Sequence, residues 1–293
     1  RPSRCLLEPR PSLDPAVAET RLAVRSALGG LRPGAVVVGL SGGADSLALA
    51  AAVAFEGPKL GMTPVSVTVD HGLQAASAEV AEAAARQAEG LGFDARILRV
   101  DVTGDGGPEA AARSARYGAL AHAAASADAV AVLVGHTLDD QAETVLLGLA
   151  RGSGGGSLQG MAPESRLADT PLLRPFLGVR RTVTRAACSA QHLDPWDDPH
   201  NDDPRYARVR VRTTVLPVLE AELGPGVAEA LARTAEQLRE DAAAFAEMID
   251  ETIEDIVEHA EAGISVSVAA LAANPAALRH RIIRHVVSSE FGG

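Results

Sequence analysis

Ala35-Val-Val-Val-Gly-Leu-Ser-Gly-Gly-Ala-Asp-Ser46 is the stretch on which the fold turns. Its first half, Ala35–Leu40, is a short apolar run of the kind that forms a buried strand. Its second half, Ser41–Ser46, leads into an Ala/Leu-rich segment that predicts a helix to about Phe55. Two glycines let the backbone approach an anion closely and adopt positive φ. The amides and dipole of a helix start favour a phosphate there. Ser41 and Ser46 add hydroxyls, and Asp45 can hold a magnesium ion. The spacing is neither GxxxxGK[ST] nor GxGxxG. A tight turn before a capped helix would also satisfy the pattern.

The same alternation continues outward. Strands are predicted at Pro64–Asp70, Ala95–Val100 and Ala129–Gly135, and helices at Ala76–Leu91, Pro108–Ala125 and Leu138–Ala150. An amphipathic stretch, Pro15–Leu28, precedes them. The pattern predicts an α/β fold with a doubly wound, mostly parallel sheet covered on both faces. Ligands in such sheets sit at the carboxyl ends of the strands, where Ser41–Ser46, Asp70–His71 and His136–Asp140 fall. Helices are also expected over Val179–Gln191 and Tyr206–Leu223, after which Gly224-Pro-Gly226 breaks the chain. Leu231, Leu238, Phe245, Ile249, Ile253, Ile256 and Val257 then recur at helical spacing. The expected division is a catalytic domain at 1–223 and an all-helical C-terminal domain at 224–293.

The 293 residues carry a net charge of −11, which by itself argues against a nucleic-acid partner. The charge is concentrated, however. Glu220–Glu261 holds 13 acidic and 2 basic residues, and the remainder sums to zero. Residues 174–212 hold eight Arg (174, 180, 181, 185, 205, 208, 210 and 212) against five Asp, making them the best candidate for contact with phosphates. Arg279, Arg281 and Arg284 form a smaller basic cluster. Cys5 and Cys188 are the only cysteines, far apart and outside any CxxC, which disfavours a cluster or cysteine-rich zinc site. With no signal-peptide pattern and no spanning apolar run, a cytoplasmic protein is expected.

His136-Thr-Leu-Asp-Asp-Gln-Ala-Glu-Thr144 is the second constellation. His136 and Asp140 are four residues apart, as are Asp139 and Glu143, so each pair shares a helix face. The carboxylates can position magnesium beside a triphosphate, and His136 can titrate near neutrality. An acidic helix start stabilised by its dipole is the alternative.

Ser41–Ser46 resembles the PP-loop of the N-type ATP pyrophosphatases. With His136–Thr144, Arg151-Gly-Ser-Gly154 and Leu158-Gln-Gly-Met161, the chain resembles the tRNA(Ile)-lysidine synthetase family. Val69-Asp-His-Gly-Leu73, Gly107–Tyr117, Arg174-Pro-Phe-Leu177, Asp198-Pro-His-Asn-Asp202 and Tyr206–Arg212 extend the likeness over about residues 33–220. Gln74, His200 and Val209 depart from the common pattern.

The resemblance implies ATP-dependent ligation of free L-lysine to C2 of the wobble cytidine of CAU-anticodon tRNA-Ile, with ATP and Mg2+ as cofactors. It implies that Ser41, Gly42, Gly43, Ala44, Asp45 and Ser46 hold the pyrophosphate portion of ATP, and that Val69 and Asp70 line the adenosine pocket. His136, Asp140 and Asp45 are implied for the central chemistry, with Asp45 and Asp140 at the metal. Arg113, Arg116, Asp139, Glu143, Arg205, Arg208 and Arg212 are candidates for substrate contact. The acidic face of Glu229–Glu261 is expected to point away from RNA, and a homodimer is left open. A related tRNA thiolation enzyme or a small-molecule PP-loop synthetase is the alternative. The lack of paired cysteines disfavours the first, and the Arg-rich segment 205–212 disfavours the second.

Overall fold

The structure, a computed structural model, describes residues 13–72, 77–102, 107–152, 154–199, 203–260 and 263–291. Cys5, Leu73, Gln74, Ala76, Ser153, His200, Asn201, Asp202 and Glu261, which enter the sequence reading, lie outside the described residues.

The chain opens with helix α1 (Pro15–Leu28), whose start is fixed by Asp14 accepting from the amides of Ala16 and Val17, with proline at the first position. Then come β1 (Gly34–Gly39), α2 (Ala44–Glu56), β2 (Met62–Asp70), α3 (Ser77–Gly90), β3 (Asp94–Arg99), α4 (Pro108–Ser126), β4 (Ala129–Leu133) and α5 (Leu138–Ala150). These elements match the predicted alternation to within a few residues. A short α6 (Gly155–Leu158) interrupts the glycine-rich segment, and a hairpin β5 (Glu164–Leu167) and β6 (Thr170–Leu173) leads to α7 (Arg181–Ala190).

The sheet order is β3-β2-β1-β4-β6-β5, parallel throughout except for β5. The strand order reverses between β1 and β4, and a crevice opens at the carboxyl ends on either side of such a switch point. Alternate residues of β1 explain the two layers. Val36 and Val38 pack with α1, α2, α3 and α7, whereas Val37 packs with Leu120, Ala123 and Ala124 of α4 on the other face.

The β5–β6 hairpin was not expected. Its four-residue strands are too short for a period to register, and they turn through Ala168 at φ 50°. It places Arg174 at the carboxyl edge of a strand parallel to β4.

The helix expected over 206–223 is a run of α8 (Ala207–Arg210), a π turn at Val211–Val215 and α9 (Leu216–Leu223). The long α10 (Val227–Ile256) follows the glycine break. Its first turns pack through Ala228, Leu231 and Ala232 against Leu138 and Ala142 of α5 and Leu216 of α9. The C-terminal region is helical, with one departure. Val257, expected to continue α10, starts a two-stranded hairpin, β7 (Val257–Ala260) and β8 (Gly263–Val266). Ile264 and Val266 carry a period of two that the adjacent long helical pattern obscures. Then α11 (Val268–Ala273) and α12 (Ala276–Phe291) close the chain, with Leu278, Ile282 and Val286 packed on Ile249 and Ile256. No helix among the described residues is long and apolar enough to cross a membrane.

Candidate active site

Ser41–Ser46 joins β1 to α2 at the switch point. Gly42 has φ 83°, a region a side chain disfavours, and its carbonyl accepts from the amide of Trp196 at 3.0 Å. Trp196 is half-buried and holds the loop through its backbone. The Ser46 hydroxyl ties the turn together, donating to the Gly43 carbonyl at 2.9 Å and accepting from the Ser41 amide at 3.1 Å. Gly43 is the N-cap of α2 and supplies no side-chain cap. The helix start therefore presents its amides and positive dipole end to an external anion. Gly135, just after β4, sits against this turn. A Cβ there would lie 2.8 Å from the Asp45 carbonyl oxygen.

A carboxylate cluster faces the loop. Thr137 caps α5, and Asp140 reciprocates by accepting from the Thr137 amide and hydroxyl, both at 2.8 Å, through Oδ2. This leaves Asp140 Oδ1 to accept from Arg181 Nη2 at 2.9 Å. Asp45 repeats the division of labour: Oδ1 accepts from the Thr184 hydroxyl and Oδ2 from Arg181 Nε at 3.4 Å. The third Arg181 nitrogen reaches Glu143 at 3.3 Å. Burial works against every charge here. It raises the Asp45 carboxyl above its ordinary value despite Thr184 and Arg181. Burial also opposes ionisation of Asp140, but Arg181 and the Thr137 donors hold that carboxyl below the usual range. Glu143 is fully buried and takes Arg212 at 2.7 and 3.1 Å, with Arg208 at 3.8 Å. Arg208 and Arg212, four residues apart, both reach it from the helix face that meets α5.

His136 belongs to a second, cationic half. Arg113 and Arg116 of α4 and Arg174 after β6 bear on it. Burial first, then these three arginines, push its imidazole down to about 4, against the pull of Asp140. The expectation that His136 titrates near neutrality is therefore corrected: it is neutral at pH 7. Buried His136 Nδ1, His71 Nδ1 and Arg174 Nε have no hydrogen-bond partner. Several buried polar atoms without partners beside cationic groups are what an anion or a polar base would satisfy.

The remaining predicted residues are less convergent. Val69 ends half-buried on β2. Asp70 is buried and caps its own turn, with Ser77 and the Gly72 amide holding its carboxyl below the ordinary value. Arg205 is exposed and doubly bonded to its neighbour Asp203, away from the cluster. All eight arginines of 174–212 have partners within the chain: Arg180 bonds Asp139, Glu220 and Glu229; Arg185 bonds Asp197; Arg210 bonds the carbonyls of Pro204 and Arg205; Arg174 bonds the carbonyl of Ala162. The sequence did not point to Thr184, and it placed Arg180 and Arg181 among the candidate phosphate contacts. Their one signal is that they open a helix directly after Arg174–Leu177.

Among the described residues no group of three or more His, Cys, Asp or Glu gathers closely enough to hold a metal alone. Asp45 Oδ2 and Asp140 Oδ1 nevertheless face the same guanidinium, that of Arg181. Two hard oxygens fit a magnesium ion that takes the rest of its shell from phosphate and water. Cys188 lies beneath the loop, its Sγ 3.3 Å from the Ala44 carbonyl, and burial pushes its thiol up to about 11.

The PP-loop domain family matches residues 18–219. A tRNA(Ile)-lysidine synthase of Leifsonia xyli subsp. xyli is 61% identical over 89% of this chain and 79% of its own length. One from Salinispora tropica is 53% identical over 96% of this chain and 84% of its own. Among solved structures, the U34-tRNA thiolase NcsA of Methanococcus maripaludis, with its [4Fe-4S] cluster, superposes with a TM-score of 0.65 at 21% identity, over 77% of this chain and 80% of that one. At that identity the superposition speaks for the fold alone.

Proposed function

From the premise that this chain belongs to the tRNA(Ile)-lysidine synthase family, a family of ligases, we propose that it joins free L-lysine to C2 of the wobble cytidine of CAU-anticodon tRNA-Ile. The observation that carries the site assignment is the meeting of an uncapped helix start at Gly43 with the Asp45–Asp140 pair, across the sheet's switch point.

The chemistry runs in two steps. The cytosine O2 attacks the α-phosphorus of ATP, and pyrophosphate leaves. The neutral ε-amine of lysine then attacks C2 and loses a proton, and AMP leaves with the oxygen. Ser41–Ser46 would hold the leaving pyrophosphate with backbone amides and hydroxyls. Asp45 and Asp140 would hold Mg2+, which supplies charge neutralisation at the phosphates. His136, kept neutral, would donate or accept a hydrogen bond at the reacting base, with Arg113, Arg116 and Arg174 offsetting the developing charge. Val69 and Asp70 would flank the adenosine. Asp139, Glu143, Arg208 and Arg212 would serve the substrates through the α5 cluster, and Arg205 would meet RNA phosphate.

The exposed arginines Arg185, Arg205, Arg210, Arg281 and Arg284 are the proposed backbone contacts. The face of α10 bearing Glu236, Glu240, Glu247 and Glu254 is exposed and would lie away from RNA. Residues 1–223 would act as the catalytic domain and 224–293 as its helical appendage, in the cytoplasm. The first half-reaction is a direct check. With ATP labelled in the α-phosphate and no lysine, label should become attached to the CAU-anticodon transcript and to no other. Attachment independent of the transcript would argue against this reading.

A further inference from the structure

The three carboxylates nearest the loop are bound by one side chain. Arg181 places Nε on Asp45, Nη2 on Asp140 and Nη1 on Glu143, at 3.4, 2.9 and 3.3 Å. The oxygens it takes are the ones the two threonines leave over, because Thr184 holds Asp45 Oδ1 and Thr137 holds Asp140 Oδ2, and Asp140 Oδ1 has a further, longer contact with Arg212 Nη2 at 3.7 Å. A divalent cation between these carboxylates would need the same two oxygens.

We infer that Arg181 is a resident countercation, a positioning residue whose guanidinium exchanges with the incoming divalent cation. This rests on the proposed reading only in taking that cation to arrive with the phosphates of ATP. Three features support an exchange of side chain rather than of backbone. The Arg181 amide is pinned to Asp139 Oδ2 at 2.7 Å, so the main chain stays in place. Glu143 offers a remaining partner once Asp45 and Asp140 are released. A pocket of about 210 Å³, lined by Arg181, Glu143, Arg212 and Glu220, gives the displaced side chain room. The exchange conserves the arrangement of the carboxylates: a cation faces them at every stage, so they do not repel one another apart.

The test uses neither tRNA nor lysine, so its failure is distinct from failure of the functional reading. Arg181→Met leaves Asp45 without a countercation and Asp140 with only the longer contact to Arg212 at 3.7 Å. We expect its Tm to fall by about 5 °C or more, and millimolar Mg2+ to restore most of the loss while leaving the parent unmoved. Mn2+ binding, read by electron paramagnetic resonance without nucleotide, should tighten about tenfold or more relative to the parent. Arg25→Met removes a partner of the buried Glu56, distant in the fold, and its Tm loss should not respond to Mg2+. Arg181→Lys keeps the charge but not the fork, and should bind Mn2+ with intermediate affinity. If Arg181→Met does not fold, the Arg181→Lys comparison decides. Mn2+ affinity unchanged in the variants, or a Tm loss that Mg2+ does not restore, would overturn the inference.

Discussion

Arg181 Nη2 donates to Asp140 Oδ1 at 2.9 Å, joining the first turn of α7 to the first turn of α5. Asp140 is at once the reciprocal cap of its helix and a member of the carboxylate cluster. Its position is thus set by the local backbone before any ligand arrives. Such preorganisation is what a site needs to hold charge without rearranging at the moment of reaction.

Asp45→Asn and His136→Ala should each lower lysine transfer by at least about a hundredfold. Both should leave far-ultraviolet circular dichroism and cooperative unfolding intact, since Asn keeps a partner for Thr184. Near-parental turnover in either variant would remove that residue from the chemistry.

Gly135 is a packing requirement of the loop. Gly135→Ala forces a methyl to 2.8 Å from the Asp45 carbonyl, and should cost about 1–3 kcal/mol while lowering activity. Gly118→Ala on α4 meets nothing within 4 Å and should gain stability, by about 1 kcal/mol. Urea denaturation of both, side by side, reads the difference. A neutral Gly135→Ala would show that the two turns can part freely.

Arg180 links the start of α10 to the site. Its guanidinium bonds Asp139, Glu220 and Glu229, and Glu220 also accepts from the amides of Gly226 and Ala228. Arg180→Met should destabilise by about 1–2 kcal/mol, the modest figure reflecting its partial exposure. Amide exchange should accelerate selectively over residues 226–232. Uniform or absent acceleration would contradict a role at this junction.

His136 has a folded value of about 4, below the ordinary 6.5. Between those values the unfolded chain binds more protons, so stability rises with pH. Its contribution is complete above about 6.5 and is lost as pH falls towards 4, amounting to about 3 kcal/mol. His136→Asn should flatten the stability–pH curve in that window. An unchanged slope would place the acid sensitivity elsewhere.

The parallel core was legible because the central strands β1 and β4 are short apolar runs and the segments between strands carry helical periods, whereas the strand order was not. Ser41–Ser46 and His136–Glu143 were legible because they are local segments at strand ends. What was not legible depends on contacts across the chain. Arg181 meets Asp45 across 136 positions, and Thr184 meets it across 139. No local pattern marks such a pairing. The acidic total was also partly misleading, since the half-buried Glu220 and Glu229 are paired with Arg180. The arginines of 174–212 read as a basic surface, yet Arg181, Arg208 and Arg212 neutralise buried carboxylates. A short hairpin, β5–β6, brings Arg174 to His136, and four-residue strands carry too few residues to show a period.

Lysine incorporation is the decisive measurement. Purified protein is incubated with ATP, Mg2+, labelled L-lysine and a transcript of tRNA-Ile bearing the CAU anticodon. Label should enter that transcript, dependent on ATP, with one AMP and one pyrophosphate released per lysine. None should enter the same transcript with the wobble cytidine replaced. Label entering both transcripts equally, or none entering either while the folded protein binds ATP, would contradict the proposed function.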